Sequence, residues 1–251
     1  MTSSRVALVT GSGKKCIGWH VADMLAQRGF QLIVHYHTSA ADADEAVATF
    51  RQHGVECIAL QADLTDESAV DALMQTIMNR FGRLDVLVHA AGLWGKGRLE
   101  EVTGDDVRRN FQVNVLSTFL CARAAGLAMV RQPEGGCIIT LGDWAVVRPY
   151  LDHAAYFASK GAIPTLTRCL AVELASRNPR VRVNCIEPGP VLFPPDLPEQ
   201  ERREAIASTL VQREGSPEHI ALAVLALVDN DFVTGVCLPV DGGRSVFAGG
   251  K

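Results

Sequence analysis

Seven short, apolar, β-rich runs recur along the 251-residue chain, and longer stretches with helical spacing separate them. The runs are VALVT (6–10), QLIVHY (31–36), VECIAL (55–60), LDVLVHA (84–90), GCIITL (136–141), VRVNCI (181–186) and VCLPV (236–240). Between them, Trp19 to Arg28, Ala40 to His53 and Glu67 to Phe81 carry apolar residues at helical spacing. Continuous apolar strands alternating with helices require crossover connections, which make a parallel sheet covered on both faces. The expectation is one doubly wound α/β domain over residues 1–251 with a seven-stranded parallel sheet. In such a sheet ligands sit at the carboxyl ends of the strands, near the point where the strand order reverses.

Composition narrows the function classes. A hydrophobic share of 48% is enough to bury a sizeable core, which excludes dominant disorder. Lys plus Arg number 24 against 28 Asp plus Glu, so there is no basic surplus to grip nucleic acid. The seven cysteines (16, 57, 121, 137, 169, 185 and 237) are scattered without a CxxC pair, which argues against a disulfide framework or a metal site. They read as small buried residues in a reducing compartment. The N-terminal MTSSRVALVTG lacks a signal-peptide layout, and the apolar stretch Ile220 to Val228 is under half a membrane span. A cytoplasmic protein acting on a small molecule, with no membrane or nucleic-acid partner, is expected.

The first strand runs into Thr10-Gly11-Ser12-Gly13-Lys14-Lys15-Cys16-Ile17-Gly18 and then a helix. Glycines there let the backbone approach a pyrophosphate held at the helix N-terminus, the signature of a Rossmann dinucleotide site. An NAD site usually ends its second strand on a carboxylate for the ribose hydroxyl. Here that strand ends Tyr36-His37-Thr38-Ser39, and the first acid is Asp42, while Lys14 and Lys15 can meet a 2′-phosphate. The expected cofactor is NADP(H).

Tyr156 and Lys160 stand four apart on a helix, on one face. An ammonium beside a phenol lowers its pKa toward the range useful for acid–base chemistry. Taken with TGSGKKCIG (10–18), ADL (62–64), HAAG (89–92), NVLSTF (114–119), YFASK (156–160), NCIEPGPV (184–191) and VDGG (240–243), the chain resembles the short-chain dehydrogenase/reductase family over essentially its whole length. The resemblance implies that Tyr156 is the proton donor, that Lys160 holds the nicotinamide ribose, and that Asn114 supports a water-linked relay. It also implies cofactor contacts from Gly11, Ile17, Gly18, Asp63, Leu64, Ala90, Ala91, Gly92, Pro188, Gly189 and Val191, and a homotetramer packed through residues 110–129 and 155–175 together with the last strand. The last residues, 244–251, are expected to meet a neighbouring subunit.

Three departures from the family pattern stand out. The glycine turn is one residue longer, with Cys16 where a glycine is usual, and His89-Ala90-Ala91-Gly92 replaces NNAG. The family's catalytic serine lies thirteen residues before the tyrosine, and that position holds Asp143. An ionised carboxylate cannot donate to a ketone oxygen, although burial beside Trp144 would raise its pKa and make it a donor. An aspartate there is similar to the pteridine reductase and dihydromonapterin reductase branch, as is His35-Tyr36-His37-x-Ser39, although Thr38 replaces an arginine. Trp94 would then sandwich a pterin against the nicotinamide, with Trp144 and Phe193 as further substrate contacts. Arg148 and His153 read as surface residues, and residues 191–213 read as a lid over the substrate.

The leading expectation is NADPH-dependent reduction of a pterin-like ring with Tyr156 and Asp143 managing the proton. The alternatives are reduction of a simple carbonyl, such as a sugar or 3-oxoacyl group, in which Asp143 accepts from a substrate hydroxyl, and a non-catalytic NADP(H) sensor. An enoyl reductase fits less well, because that branch spaces its tyrosine and lysine further apart.

Overall fold

The computed structural model describes residues 4–247. Each apolar run becomes a strand: β1 (Val6–Thr10), β2 (Gln31–Tyr36), β3 (Cys57–Gln61), β4 (Val86–His89), β5 (Gly136–Leu141), β6 (Val181–Pro188) and β7 (Cys237–Val240). The helices are α1 (Ile17–Gln27), α2 (Ala40–Arg51), α3 (Glu67–Phe81), α4 (Gly104–Phe111), α5 (Ser117–Met129), α6 (Ala154–Ala175), α7 (Glu199–Ala207) and α8 (Pro217–Asp229). All the strand pairs are parallel, in the order β3-β2-β1-β4-β5-β6-β7. The order reverses between β1 and β4, which is where the doubly wound pattern expects a ligand.

Alternate residues of each strand feed two cores. Val9, Val34, Val88 and Ile139 pack under α1, α2 and α8, while Leu8, Ile33, Leu87 and Ile138 pack under α3, α5 and α6. Burial on both faces explains why the strands read as continuous apolar runs rather than alternating ones. The strand β6 continues two residues past its apolar run because Glu187 and Pro188 still pair with Pro239 and Val240. The strand β3 starts two residues later than its run, since pairing with β2 begins at Cys57. Cys57, Cys121, Cys137 and Cys185 are buried as expected, but Cys169 is exposed.

The helices α4 and α5 are joined by a π-helical turn, Gln112–Leu116, into one run from Gly104 to Met129. That run is long and apolar enough, by length and composition, to cross a membrane. In this fold it packs on α3 and α6 and buries Asn110, Asn114, Ser117 and Thr118, which suits a core helix.

Arg182, buried in β6, closes the C-terminal end of α8. Its guanidinium donates to the carbonyls of Leu227 (2.8 Å), Val228 (3.0 Å) and Val233 (2.9 Å). A cation at the negative end of a helix satisfies carbonyls that otherwise lack a partner. Replacing Arg182 by Met leaves those oxygens buried and bare, and denaturant unfolding should show a loss of about 3 kcal/mol.

Candidate active site

The turn after β1 is closed by two tight backbone approaches. A Cβ at Gly11, whose φ is 63°, would lie 2.9 Å from Ala91 Cα, and one at Gly18 would lie 2.8 Å from the Gly11 carbonyl. Cys16, by contrast, has an extended φ of −148° that any residue can adopt, and its thiol donates to Gly11 O at 3.2 Å. The cysteine therefore fits where the family pattern has glycine. The first turn of α1 has neither a capping side chain nor an acid. Its amides are available to an anion, so the turn fits a pyrophosphate.

Two buried histidines hold this turn, and neither role was legible in the sequence. His35 Nε2 donates to Ala62 O at 3.1 Å, which leaves Nδ1 to accept from Gly11 N–H at 3.1 Å. Thr10 Oγ1 accepts from the amides of Ala90 and Ala91, both at 3.0 Å, so its own proton goes to His89 Nδ1 at 3.3 Å. His89 Nε2 then faces Ser117 Oγ at 3.2 Å. Burial holds both rings neutral, pushing His35 down to about 4 and His89 down to about 3.

At the end of β2, Tyr36 is half-buried, Ser39 is half-buried, and His37 and Thr38 are exposed. Gly13 packs against Tyr36, a Cβ there lying 3.2 Å from Tyr36 Cβ, so the lysines that follow it stand beside this strand end. Lys14 is exposed and 4.0 Å from Asp42, and Lys15 Nζ is 5.5 Å from the centre of the Trp19 ring. Asp63 is engaged locally, one oxygen accepting from Thr65 N (2.9 Å) and Thr65 Oγ1 (2.8 Å). Those bonds hold its carboxyl below the usual range. Leu64 and Val191 bury their side chains in the two cores, and Ile17 packs partly into one of them. Pro188 and Gly189 close β6, where Gly189 N donates to Val240 O at 3.0 Å.

The reactive groups converge beyond β4 and β5. Tyr156 Oη donates to Asp143 Oδ2 at 2.7 Å, and Asp143 Oδ1 accepts from Ala145 N at 2.8 Å as it caps the short 3-10 turn Trp144–Val146. Lys160 Nζ donates to Leu141 O at 2.9 Å. A Cβ on Gly92 would lie 3.2 Å from Asn114 Oδ1 and 3.7 Å from Lys160 Nζ, which joins the β4 loop to this group. Asn114 sits in the π-helical turn and spends its amide on the loop. It accepts from Leu93 N (2.8 Å) and donates to Leu93 O (3.0 Å) and Ser159 Oγ (2.9 Å). Ser159, to which the YFASK motif assigns no role, donates in turn to Tyr156 O at 2.7 Å.

Burial shapes the electrostatics here. It raises the Asp143 carboxyl above its usual range, against the opposing pull of Ala145 N–H, Tyr156 and Lys160. It also raises the Tyr156 phenol, helped by the charge of Asp143, and lowers the Lys160 ammonium. Tyr156 is thus a held acid rather than a ready phenolate, and Asp143 is the group able to change protonation nearest to it.

The expected substrate residues fare unequally. Trp94 is 49% exposed and borders a cleft of about 500 Å³ that Tyr156 and His153 also line. Trp144 is 8% exposed, covered by Tyr150 (ring centres 6.3 Å apart) and by the Arg244 guanidinium. Phe193 packs under Arg202 of α7, its ring centre 5.7 Å from the guanidinium carbon. His153 is not a surface residue: it is 5% exposed among the rings of Trp94, Tyr150, Tyr156 and Phe157. Arg148 is not free in solvent either, since it donates to the carbonyls of Arg244 and Phe247. The two have different causes: aromatic rings pack around His153, whereas Arg148 reaches across to the backbone of the C-terminal loop. Residues 191–213 form a loop and α7, which buries no residue, and the segment is anchored where Leu210 N donates to Gly242 O at 2.9 Å. Of the C-terminal residues expected at a subunit contact, 248–251 lie outside the described residues.

The depressed His35 pKa sets a pH dependence. From pH 6.5 down to about 4 the unfolded chain binds a proton that the native ring refuses, so stability present above pH 6.5 is lost across that window. His35 alone should account for about 3 kcal/mol of acid destabilisation, and His35→Gln should flatten that limb in pH-dependent urea unfolding.

Residues 11–245 match the family model described as "Enoyl-(Acyl carrier protein) reductase". The chain is 31% identical to glucose 1-dehydrogenase 2 of Bacillus subtilis (strain 168), covering 98% of this chain and 96% of that one. The crystal structure of acetoin dehydrogenase from Enterobacter cloacae superposes with a TM-score of 0.88 at 33% identity, covering 98% of each chain. NAD+-bound xylitol dehydrogenase superposes with a TM-score of 0.89 at 30% identity, over 97% of this chain and 100% of that one. With these likenesses along nearly its whole length, the chain belongs to the short-chain dehydrogenase/reductase family, oxidoreductases that use a nicotinamide cofactor.

Proposed function

We propose that the protein interconverts a hydroxyl and a carbonyl on a small molecule with NADP(H), and that Asp143 does the work a serine does elsewhere in the family. The observation that carries this reading is the 2.7 Å hydrogen bond from Tyr156 to Asp143 beside the half-buried Lys160. When bound, the cofactor supplies or takes the hydride. The residues of the chain manage everything else. A neutral Asp143 carboxyl donates to a substrate carbonyl and frees the Tyr156 proton for the developing alkoxide. An ionised Asp143 instead accepts from a substrate hydroxyl and takes up the proton through Tyr156, which favours oxidation. Asn114 and Ser159 hold the β4 loop and Tyr156 in register, as positioning residues.

Likeness to proteins named for glucose, acetoin and xylitol supports a simple carbonyl or alcohol over a pterin. Tyr156 and Lys160, four residues apart, support the same choice over an enoyl thioester. A pterin-like ring remains the second reading, favoured by the exposed indole of Trp94 on the same cleft as Tyr156. The absence of a carboxylate between Tyr36 and Asp42, with Lys14 alongside, supports NADP(H) over NAD(H). The exposed apolar side chains Val107, Phe111, Phe119 and Leu127 along α4 and α5 support a homotetramer.

Three outcomes follow. Reduction of a ketone by wild-type enzyme should fall as pH rises through the raised Asp143 pKa, while Asp143→Ser should show no such limb in kcat/KM. Asp143→Ala should lose about a hundredfold in kcat for reduction. Replacing Lys14 and Lys15 together by Ala should lower the NADPH-over-NADH preference by about tenfold or more. Turnover of dihydropteridines, with none of acetoin, sugars or polyols, would overturn the leading reading in favour of the second.

A further inference from the structure

Beside the Asp143–Tyr156 pair lies a cation that the chemistry above does not use. The guanidinium carbon of Arg244 sits 4.4 Å from the centre of the Trp144 ring, against the residue that follows Asp143. Trp144 is itself nearly buried and stacked on Tyr150, so the surface under Arg244 is firm. The backbone beneath the arginine is held as well. Arg148 donates to the carbonyls of Arg244 and Phe247, and the Arg244 amide donates to Asp241 O at 3.3 Å.

Among the described residues, no carboxylate pairs with the Arg244 guanidinium. The acids around it are committed elsewhere. Asp241 accepts from Gly243 N at 2.9 Å and Ser245 N at 2.6 Å. Asp143 accepts from Ala145 N and Tyr156 Oη. Arg244 is half-buried, and burial depresses its pKa more than the charges of Asp143 and Asp241, neither of which forms an ion pair with it, restore it. A ring face returns only part of what hydration supplied. A planar guanidinium fork fixed by stacking is suited to receive an oxyanion by two parallel hydrogen bonds. The glycine turn that fits a pyrophosphate follows β1, whereas Trp144 follows β5, two strands away in the sheet.

We propose that Arg244 receives an oxyanion carried by the substrate, a carboxylate or a phosphate, so that the molecule turned over is a hydroxy or keto acid or its phosphorylated counterpart rather than a neutral alcohol or ketone. The anion would dock over Trp144 while the reacting carbon faces Tyr156. This rests on the oxidoreductase reading only for the kinetic half of its test.

The binding half uses the full-length protein and needs no turnover. Malonate and, separately, inorganic phosphate are titrated while tryptophan fluorescence is followed, because Trp144 lies directly beneath the guanidinium. The expected result is a saturable change with at least one of the two anions, lost in Arg244→Gln and kept in weaker form in Arg244→Lys. Saturation with malonate alone identifies a carboxylate, and with phosphate alone a phosphate ester. The kinetic half compares 3-hydroxybutyrate and glycerol 3-phosphate with 2-butanol and glycerol. The acid-to-neutral ratio of kcat/KM should exceed unity in the wild type and fall roughly tenfold or more in Arg244→Gln, mostly through KM. Saturable, Arg244-dependent anion binding with no alcohol turned over would keep the anion site and count against the oxidoreductase reading. No saturable change with either anion, or equal acid-to-neutral ratios in wild type and Arg244→Gln, would overturn the proposal. Arg244→Lys keeps the charge, so it supplies the comparison if Arg244→Gln fails to fold.

Discussion

Because every strand of the sheet runs parallel, every strand ends at the same edge, and the groups of the candidate site come from those ends. Thr10 ends β1 and Gly11 follows it, Tyr36 ends β2, Ala90 to Gly92 follow β4, and Asp143 follows β5. Tyr156 and Lys160 come from the first two turns of α6, which returns across the sheet from β5. The register between β1 and β4 sets Thr10 opposite His89, and that pairing is what lets one hydroxyl accept two amides of the next loop. Placing the cofactor turn and placing the reactive tyrosine are thus two consequences of one topology.

Within that frame the aspartate at position 143 changes the electrostatics more than the geometry. It occupies the start of the 3-10 turn, caps it, and still reaches Tyr156. A serine in its place brings a neutral donor. The carboxyl brings a charge that burial resists and that in turn holds the phenol protonated. Lys160, whose ammonium burial also disfavours, is a compensating cation, and its attraction to Asp143 runs against that burial. The site therefore balances three desolvated groups, and the protonation state of the aspartate decides whether it offers a donor or an acceptor.

Much of this was legible in the residues. The helix over Glu67–Phe81 and the strands at 6–10, 31–36 and 136–141 match their apolar patterns end to end. The glycine turn, Tyr156, Lys160 and Asp143 fall together because strand–helix alternation alone brings strand ends to one edge. What the pattern could not carry was contact across the chain. His35 looks like one more residue of an apolar strand until its ring is seen bridging Gly11 and Ala62. His153 reads as polar loop, yet four aromatic rings bury it, and those neighbours come from both sides of it in sequence and from the β4 loop. Trp144 looks like a free aromatic beside a reactive acid, but Arg244, a hundred residues later in the chain, covers it. The only sequence signal that hinted at these roles was polarity inside an otherwise apolar or aromatic run.

The carboxyl carbon of Asp143 reports directly on the proton that the site is built around. A 13C NMR titration of that carbon in the wild-type protein, assigned with Asp143→Asn, should give a midpoint above the ordinary aspartate value of 3.8. The midpoint should rise further in Lys160→Met, which removes the cation that favours the carboxylate. A midpoint at or below 3.8 would mean an ordinary ionised aspartate, and would contradict the assignment of Asp143 as the switchable partner of Tyr156.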